Sequence, residues 1–289
     1  MKSLMKSILP LPLIVSLQNR RDRDKLRSAL SGSSSRGAWA EGVREAARQA
    51  LGISRAGSPD EARAAFRKIE RLRSQWARKS GGISVRDFGA THSGGALRPS
   101  GATLEVSYRE KFLFASSTRT YGSLYHHLVR GMGLHRVLEL GTNVGMSGSY
   151  IASALPANGQ GKLVTLEGSD AVSDVARQVF EAQSLGEQVT RVVGPFHETL
   201  SGCLADHGPF DLVFVDGHHD GLATVDYFHQ IRPHVAPSGL MIFDDIRWSG
   251  SMSEAWAEIQ AHEELAGVLD FRQIGIVMVG GGARASSPR

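Results

Sequence analysis

The stretch RVLELGTNVGMSGSY, Arg136 to Tyr150, reads as one buried strand, a glycine turn and the start of a helix. Val137, Leu138 and Leu140 suit a strand covered on both faces, and Gly141 and Gly145 remove side chains where the chain must turn tightly. From Ser147 a helix opens, its free amide groups facing whatever lies over the turn. Glu139 stands inside the strand, an unfavourable place for an acid unless its carboxylate emerges at the strand's carboxyl end, so emergence is expected. Glu167 closes the next apolar run, KLVTLE, about one βαβ unit later, where an acid can accept hydrogen bonds from ribose hydroxyls. Two acids at successive strand ends suggest a nucleoside. Gly141, Asn143 and Gly145 do not spell GxGxxG, and a structural turn without ligand is the competing reading.

Outward from this stretch the pattern is regular. LVTLE precedes a helix near Asp170 to Gln183, TRVV one after His197, DLVFV one from about Leu222 to Ile231, and LMIF one around Ser253 to Ala261. Strand and helix units of this length predict a Rossmann-like, doubly wound α/β sheet, mostly parallel. VLDFRQ and GIVMVG are too close for a crossover helix and should form an antiparallel hairpin at the sheet edge.

Phe210 to Asp220, FDLVFVDGHHD, and Gly239 to Trp248, GLMIFDDIRW, are apolar runs that stop in carboxylates. In a parallel sheet the carboxyl ends of neighbouring strands line one edge, which would bring Asp216, Asp244 and Asp245 beside the Gly141–Ser147 turn. Three crowded carboxylates call for a positive partner, and a hard divalent cation with oxygen ligands, Mg²⁺ first, is the natural one. As helix caps and loop formers these aspartates are explained singly, not together. His218 or His219 could take a proton from a hydroxyl at that edge, against the alternative of a loop histidine bonded to backbone.

The amino-terminal part is different in kind. Of the chain's 33 Lys and Arg, 18 fall in the first 80 residues, against 7 of its 29 Asp and Glu. Residues 1–35 read as a basic tail, loosely ordered or docked, with Pro10 and Pro12 breaking any helix. The short apolar run lacks the cleavage site of a signal peptide and the length of a membrane span. Residues 31–37, SGSSSRG, look like a flexible linker. Residues 36–80 form a helical extension: one helix from Ala38 to Leu51 and a second from Pro59 to Arg78, with Ser58 as N-cap and Glu61 completing a capping box. The second carries an apolar stripe, Ala62, Ala65, Phe66, Ile69, Leu72 and Trp76, suited to packing on the main domain or on a second copy in a homodimer. Without a nucleic-acid motif, contact of the basic segment with nucleic acid or an anionic membrane is the lesser reading. From Gly81 to Gly101 regular structure is not expected, and Thr118 to Gly131 predicts an amphipathic helix whose adjacent His126 and His127 share no metal. Cys203, the single cysteine, fits a small buried residue in a reducing, cytoplasmic setting.

LELGTNVGMS, LEG, FVDGHHD and GLMIFDDIRWSG together resemble the class I S-adenosylmethionine-dependent methyltransferases, and among them the metal-dependent O-methyltransferases of the catechol, caffeoyl-CoA and macrocin types. DFGA, the YG-containing helix and FDDIRWS also resemble a bacterial group of class I methyltransferases. The resemblance covers about residues 83–280, within a domain taken as residues 81–289. It implies that Glu139, Gly141, Gly145 and Ser147 hold the methionine moiety, Glu167 the ribose, and that Phe196 and His197 lie near adenine. It implies a divalent cation on Asp216, Asp244 and Asp245, with His218 where macrocin-type enzymes carry an acidic general base. Asn143 replaces a frequent glycine, Asp245 stands where the catechol type has asparagine, and no gating lysine follows Asp216. The expected function is metal-assisted O-methylation of a small hydroxylated acceptor. The alternatives are a macromolecular acceptor recruited by the basic helices and a non-catalytic cofactor-binding partner. A nicotinamide dehydrogenase is disfavoured by the glycine spacing.

Overall fold

The structure, a computed structural model, describes residues 9–32, 35–88 and 101–280. Its centre is a seven-stranded sheet of β3 (Arg136–Leu140), β4 (Lys162–Glu167), β5 (Val189–Val193), β6 (Phe210–Val215), β7 (Val235–Phe243), β8 (Leu265–Asp270) and β9 (Gly275–Val279), in the order β5-β4-β3-β6-β7-β9-β8. All neighbours are parallel except β9, which runs antiparallel to both β7 and β8. This is the expected doubly wound sheet with its edge hairpin. Strands β3 to β7 are continuous apolar runs because both faces are covered: Val137, Leu163, Leu212 and Phe214 belong to one core cluster and Leu138, Leu140, Leu166 and Val213 to the other.

Register, more than strand order, decides which residues meet at the sheet's edge. Leu140 pairs with Leu166 on one side and Val215 on the other, and Val215 pairs with Phe243. The next residues of these four strands, Gly141, Glu167, Asp216 and Asp244, therefore stand in one row along the carboxyl edge. The row spans β3 and β6, where the chain reverses its direction of travel across the sheet and where ligands bind in open α/β folds.

Helices α6 (Met146–Ala154), α7 (Asp170–Glu181), α8 (Phe196–His207), α9 (Gly221–Ile231) and α10 (Gly250–Gln260) follow the successive strands, each close to its expected span. Ahead of the sheet lie α1 (Leu11–Gly32), α2 (Ala38–Leu51), α3 (Asp60–Trp76), the antiparallel pair β1 (Gly82–Asp87) and β2 (Ala102–Ser107), α4 (Tyr108–Leu113) and α5 (Arg119–Gly131). The apolar stripe of α3 is spent within the chain: Phe66, Ile69 and Trp76 share a core with Ile83, Phe112, Met146, Tyr150 and Val179.

Three local expectations are corrected. Of the two readings of the basic tail, the docked one holds from Leu11 onward, because both prolines sit at the helix start, where a missing N–H is harmless. Leu26 is fully buried and Ile14 nearly so, each contributing about 1.5–3 kcal/mol by burial. Ser58 does not cap α3; Pro59 holds that position, and the Ser58 hydroxyl lies 3.3 Å from His127 Nε2. The segment taken as irregular contains β1, whose partner β2 starts fifteen residues after β1 ends, a non-local pairing that local composition does not report. Residues 1–8, 33–34, 89–100 and 281–289, including the Gly89 and Ala90 of DFGA, lie outside the described residues. Among the described residues no helix is long and apolar enough to cross a membrane.

Candidate cofactor and acceptor site

The turn after β3 is built from three left-handed positions: Gly141 at φ 101°, Asn143 at φ 47° and Gly145 at φ 77°. Gly141 is irreplaceable on space as well as conformation, since a Cβ there would stand 2.1 Å from the backbone oxygen of Asp216. Asparagine tolerates the left-handed region, which explains Asn143 in place of a glycine. The Asn143 amide donates to Glu167 Oε2 at 2.8 Å, and the Ser169 amide to Glu167 Oε1 at 2.9 Å. Glu167 thus clamps the turn and the end of β4 together. Burial holds its carboxyl above the ordinary range, opposed by those amides and by Lys111.

Glu139 departs from expectation. It does not emerge at the strand end; it is wholly buried, accepting hydrogen bonds from Ser147 Oγ and Thr165 Oγ1, each 2.6 Å. Burial pushes its pKa up to about 7. Glu139 and Ser147 accordingly act on the turn from behind, tying β3 to the first turn of α6 and to β4.

Two cavities meet over the row of strand ends. The first, about 250 Å³, lies over Glu167 and Gly168 and is walled by Phe88, Phe196, His197 and His218. Phe196 meets Tyr227 edge to face at 5.7 Å, giving a flat aromatic wall beside Gly217. The second, about 690 Å³, holds Asn143, Asp216, His219, Asp244, Asp245 and Trp248. Val85, Asp87, Lys111 and His219 line both cavities, so they form the wall between them. Gln18, Arg21 and Asp22 of α1 close the larger chamber from above.

The three aspartates converge as expected and their charges burden one another. Burial first, then Asp244, Asp245 and Glu139, raises Asp216 well above the carboxylate range. Burial and Asp245 push Asp244 up to about 8. Burial also raises Asp245, opposed by His219, Lys25 and Arg21. Carboxylates in such mutual repulsion have the chemistry to take a hard divalent cation. Among the described residues, however, no group of three His, Cys, Asp or Glu side chains is arranged for a metal ion, so the donors fit in kind without forming a closed cage.

The two histidines separate. His218 turns to the smaller cavity, its Nδ1 2.8 Å from the Tyr227 hydroxyl. His219 reaches the aspartates, with Nε2 3.8 Å from Asp216 Oδ1, and burial lowers its pKa against the pull of Asp245. Both adopt φ above zero, at 69° and 47°, and this tight turn leaves His218 on the smaller cavity alone and His219 in the wall that the two cavities share. The expected base, His218, is therefore placed with the cofactor residues, and its neighbour lies beside the carboxylates. Sequence reasoning also missed Lys111, Thr165 and Trp248. Thr165 carried a signal, a hydroxyl inside the apolar run LVTLE, whereas Lys111 arrives from α4 and carried none.

Residues 138–246 match a family model described as "Methyltransferase domain". The chain is 37% identical over 122 residues to a catechol O-methyltransferase of Mycobacterium tuberculosis, covering 42% of this chain and 52% of that protein. It is 24% identical over 153 residues to a caffeoyl-CoA O-methyltransferase of Petroselinum crispum, covering 52% and 62% respectively. The chain thus spans less than two thirds of these relatives' length. An O-methyltransferase from Bacillus cereus solved in complex with SAH superposes with TM-score 0.52 at 19% identity, over 74% of this chain and 90% of that one. A Streptomyces achromogenes O-methyltransferase of tomaymycin synthesis, in complex with SAM, gives TM-score 0.51 at 21% identity over 57% and 82%. The seven-stranded sheet, with its glycine turn at the strand switch, thus shares the fold of these methyltransferase structures, and residues 138–246 within it match the methyltransferase-domain model.

Proposed function

We propose that the chain transfers the methyl group of S-adenosylmethionine to a hydroxyl of a small molecule. The observation that carries this reading is the pair of abutting cavities, one over Glu167 and Gly168, the other over Asn143 of the glycine turn and the three carboxylates, with His219 in the wall between. The cofactor's adenosine end would lie between Glu167 and Phe196, with the Gly141–Gly145 turn under its methionine end. A sulfonium methyl is already electrophilic, so the protein's task is to align an oxygen with it and exclude water. His219 is the group placed to accept the acceptor's proton. Asp216, Asp244 and Asp245 would hold a divalent cation, which supplies a lowered pKa to a hydroxyl bound beside it. Lys111, in the same wall, offers a positive charge that no lysine after Asp216 provides. A chamber of about 690 Å³ closed over by α1 suits a small acceptor better than a macromolecule.

Calorimetry with S-adenosylmethionine, with and without Mg²⁺, followed by methyl transfer to a panel of hydroxylated acceptors, tests the reading. His219→Ala should lower kcat about 10²- to 10⁴-fold with cofactor affinity kept, while His218→Ala should mainly weaken cofactor binding. No cofactor binding by well-folded wild type would sink the enzyme reading, and full activity of His219→Ala would remove the assigned base.

A further inference from the structure

A second concave site lies on the other side of α1, away from the carboxyl edge of the sheet. A cleft of about 760 Å³ is walled by Arg20, Arg23 and Arg27 of α1, Arg63 of α3 and Arg119 of α5, with His127 among its lining residues. Arg20, Arg23 and Arg27 are spaced i, i+3, i+7 and so form one stripe of the helix. Asp24 is the single carboxylate lining this cleft, against five guanidinium groups. Two of the five are engaged: Arg23 donates to the Leu51 carbonyl at 2.5 Å, and Arg63 bonds to the Ser58 carbonyl and to Asp60. Among the described residues no carboxylate pairs with Arg20, Arg27 or Arg119.

A fold can leave one arginine solvated on a convex surface at little cost. Three unpaired arginines brought by two different helices to one concavity repel each other, and an anion bridging them removes that repulsion. Guanidinium forks match carboxylate and phosphate oxygens alike, two at a time, but a phosphate group offers three terminal oxygens and up to two charges, so it can bridge arginines from two helices where a single carboxylate is saturated by one. We propose that this cleft binds a phosphorylated small molecule carrying at least two negative charges. The site is independent of the methyl-transfer chemistry, and it bears on it through one helix. The opposite stripe of α1, Gln18, Arg21 and Lys25, faces the cavities over Asp245. Between the stripes Asp22 is buried and accepts a hydrogen bond from Thr118 Oγ1 at 2.8 Å. A ligand in the cleft therefore fixes the roof of the acceptor chamber.

The test is calorimetry on the full chain with pyrophosphate as probe and sulfate for comparison. Wild type is set beside a triple Arg20→Ala, Arg27→Ala, Arg119→Ala variant, a triple Arg→Lys variant at the same positions, and Arg71→Ala, which lies off the cleft. Saturable one-site binding is expected, with affinity about 10- to 100-fold weaker per arginine removed, intermediate in the lysine variant and unchanged in Arg71→Ala. Binding should also slow amide exchange across residues 11–32. Absence of saturation by about 1 mM, or equal affinity in wild type and the triple variants, overturns the proposal. Should the alanine triple fail to fold, the lysine triple decides, and unchanged affinity there overturns it. An RNA strand that displaces pyrophosphate and binds with a salt slope of several would replace the small ligand with a nucleic acid.

Discussion

Gly141→Ala tests whether the glycine turn and the carboxylate chamber are one mechanical unit. The native φ of 101° lies outside what an alanine readily adopts, and strain of this kind costs about 1–3 kcal/mol. The added methyl would sit 2.1 Å from the Asp216 oxygen, where ordinary contact begins at 3.4 Å, so the two backbones must part by 3.4 − 2.1 = 1.3 Å. They are held together by the bond from the Asp216 amide to the Leu140 carbonyl at 2.9 Å, and overpacking against it adds about 1–3 kcal/mol. The total is roughly 2–6 kcal/mol of lost stability. Because the residue displaced is Asp216, turnover should fall by about 10²-fold beyond any loss of folded protein, the effect of an ångström-scale misplacement. The assay is a urea midpoint, S-adenosylmethionine calorimetry and, once an acceptor is found, kcat. Gly131→Ala is the internal control, since no atom lies within 4 Å of its added Cβ, and it should be neutral or stabilising by about 0.5–1 kcal/mol. A Gly141→Ala protein with the wild-type midpoint and wild-type cofactor affinity would refute the reasoning.

Arg73 is buried and donates to the Phe112 and Ser117 carbonyls at 2.7 and 2.6 Å and to Glu70 at 3.1 Å, so Arg73→Met should cost about 3–5 kcal/mol by urea denaturation and loosen the 112–117 wall of the chamber. Burial lowers His126 to about 3 and His127 to about 4. With unfolded values near 6.5, the unfolded chain binds more protons below that pH, so stability present above 6.5 is lost as pH falls, about 2 kcal/mol per histidine by pH 5. The buried carboxylates act in the opposite sense, so the readout is wild type minus His126→Leu, His127→Leu as a function of pH; a flat difference contradicts it. Glu139, raised to about 7, gives stability that is full below about 4.5 and lost as pH rises through 7. Glu139→Gln should therefore unfold with a weaker decline from pH 5 to 8 than wild type, and parallel curves would show that the carboxyl is not held protonated.

What the sequence made legible was whatever depends on long apolar runs and their ends. Parallel strands buried on both faces announce themselves, and the residue after each run, Gly141, Glu167, Asp216 or Asp244, falls on the edge that register dictates. What stayed hidden depends on a single backbone angle or on a distant partner. Glu139 was read as emerging because an unpaired buried acid is costly; Ser147 and Thr165, eight and twenty-six residues on, supply the hydroxyls that offset the cost. His218 and His219 are equivalent on paper, and only two successive positive φ values put His218 on the smaller cavity alone and His219 in the wall beside the carboxylates. The helix from Leu11 was obscured by prolines that lie at its start instead of its middle, and β1 by a strand partner across residues 89–100.

The wall shared by the two cavities has a consequence for how such a protein can change over time. Val85, Asp87 and Lys111 of that wall, like the α1 residues above the chamber, precede Arg136, whereas its fourth member, His219, follows it together with the glycine turn, Glu167, Phe196 and the three aspartates. The family match begins at residue 138, on the far side of the same boundary. Inheritance can act on the two halves separately. On the proposed reading, a lineage that rewrites the first 135 residues changes part of the acceptor chamber's wall while the residues matched by the methyltransferase-domain model pass on intact.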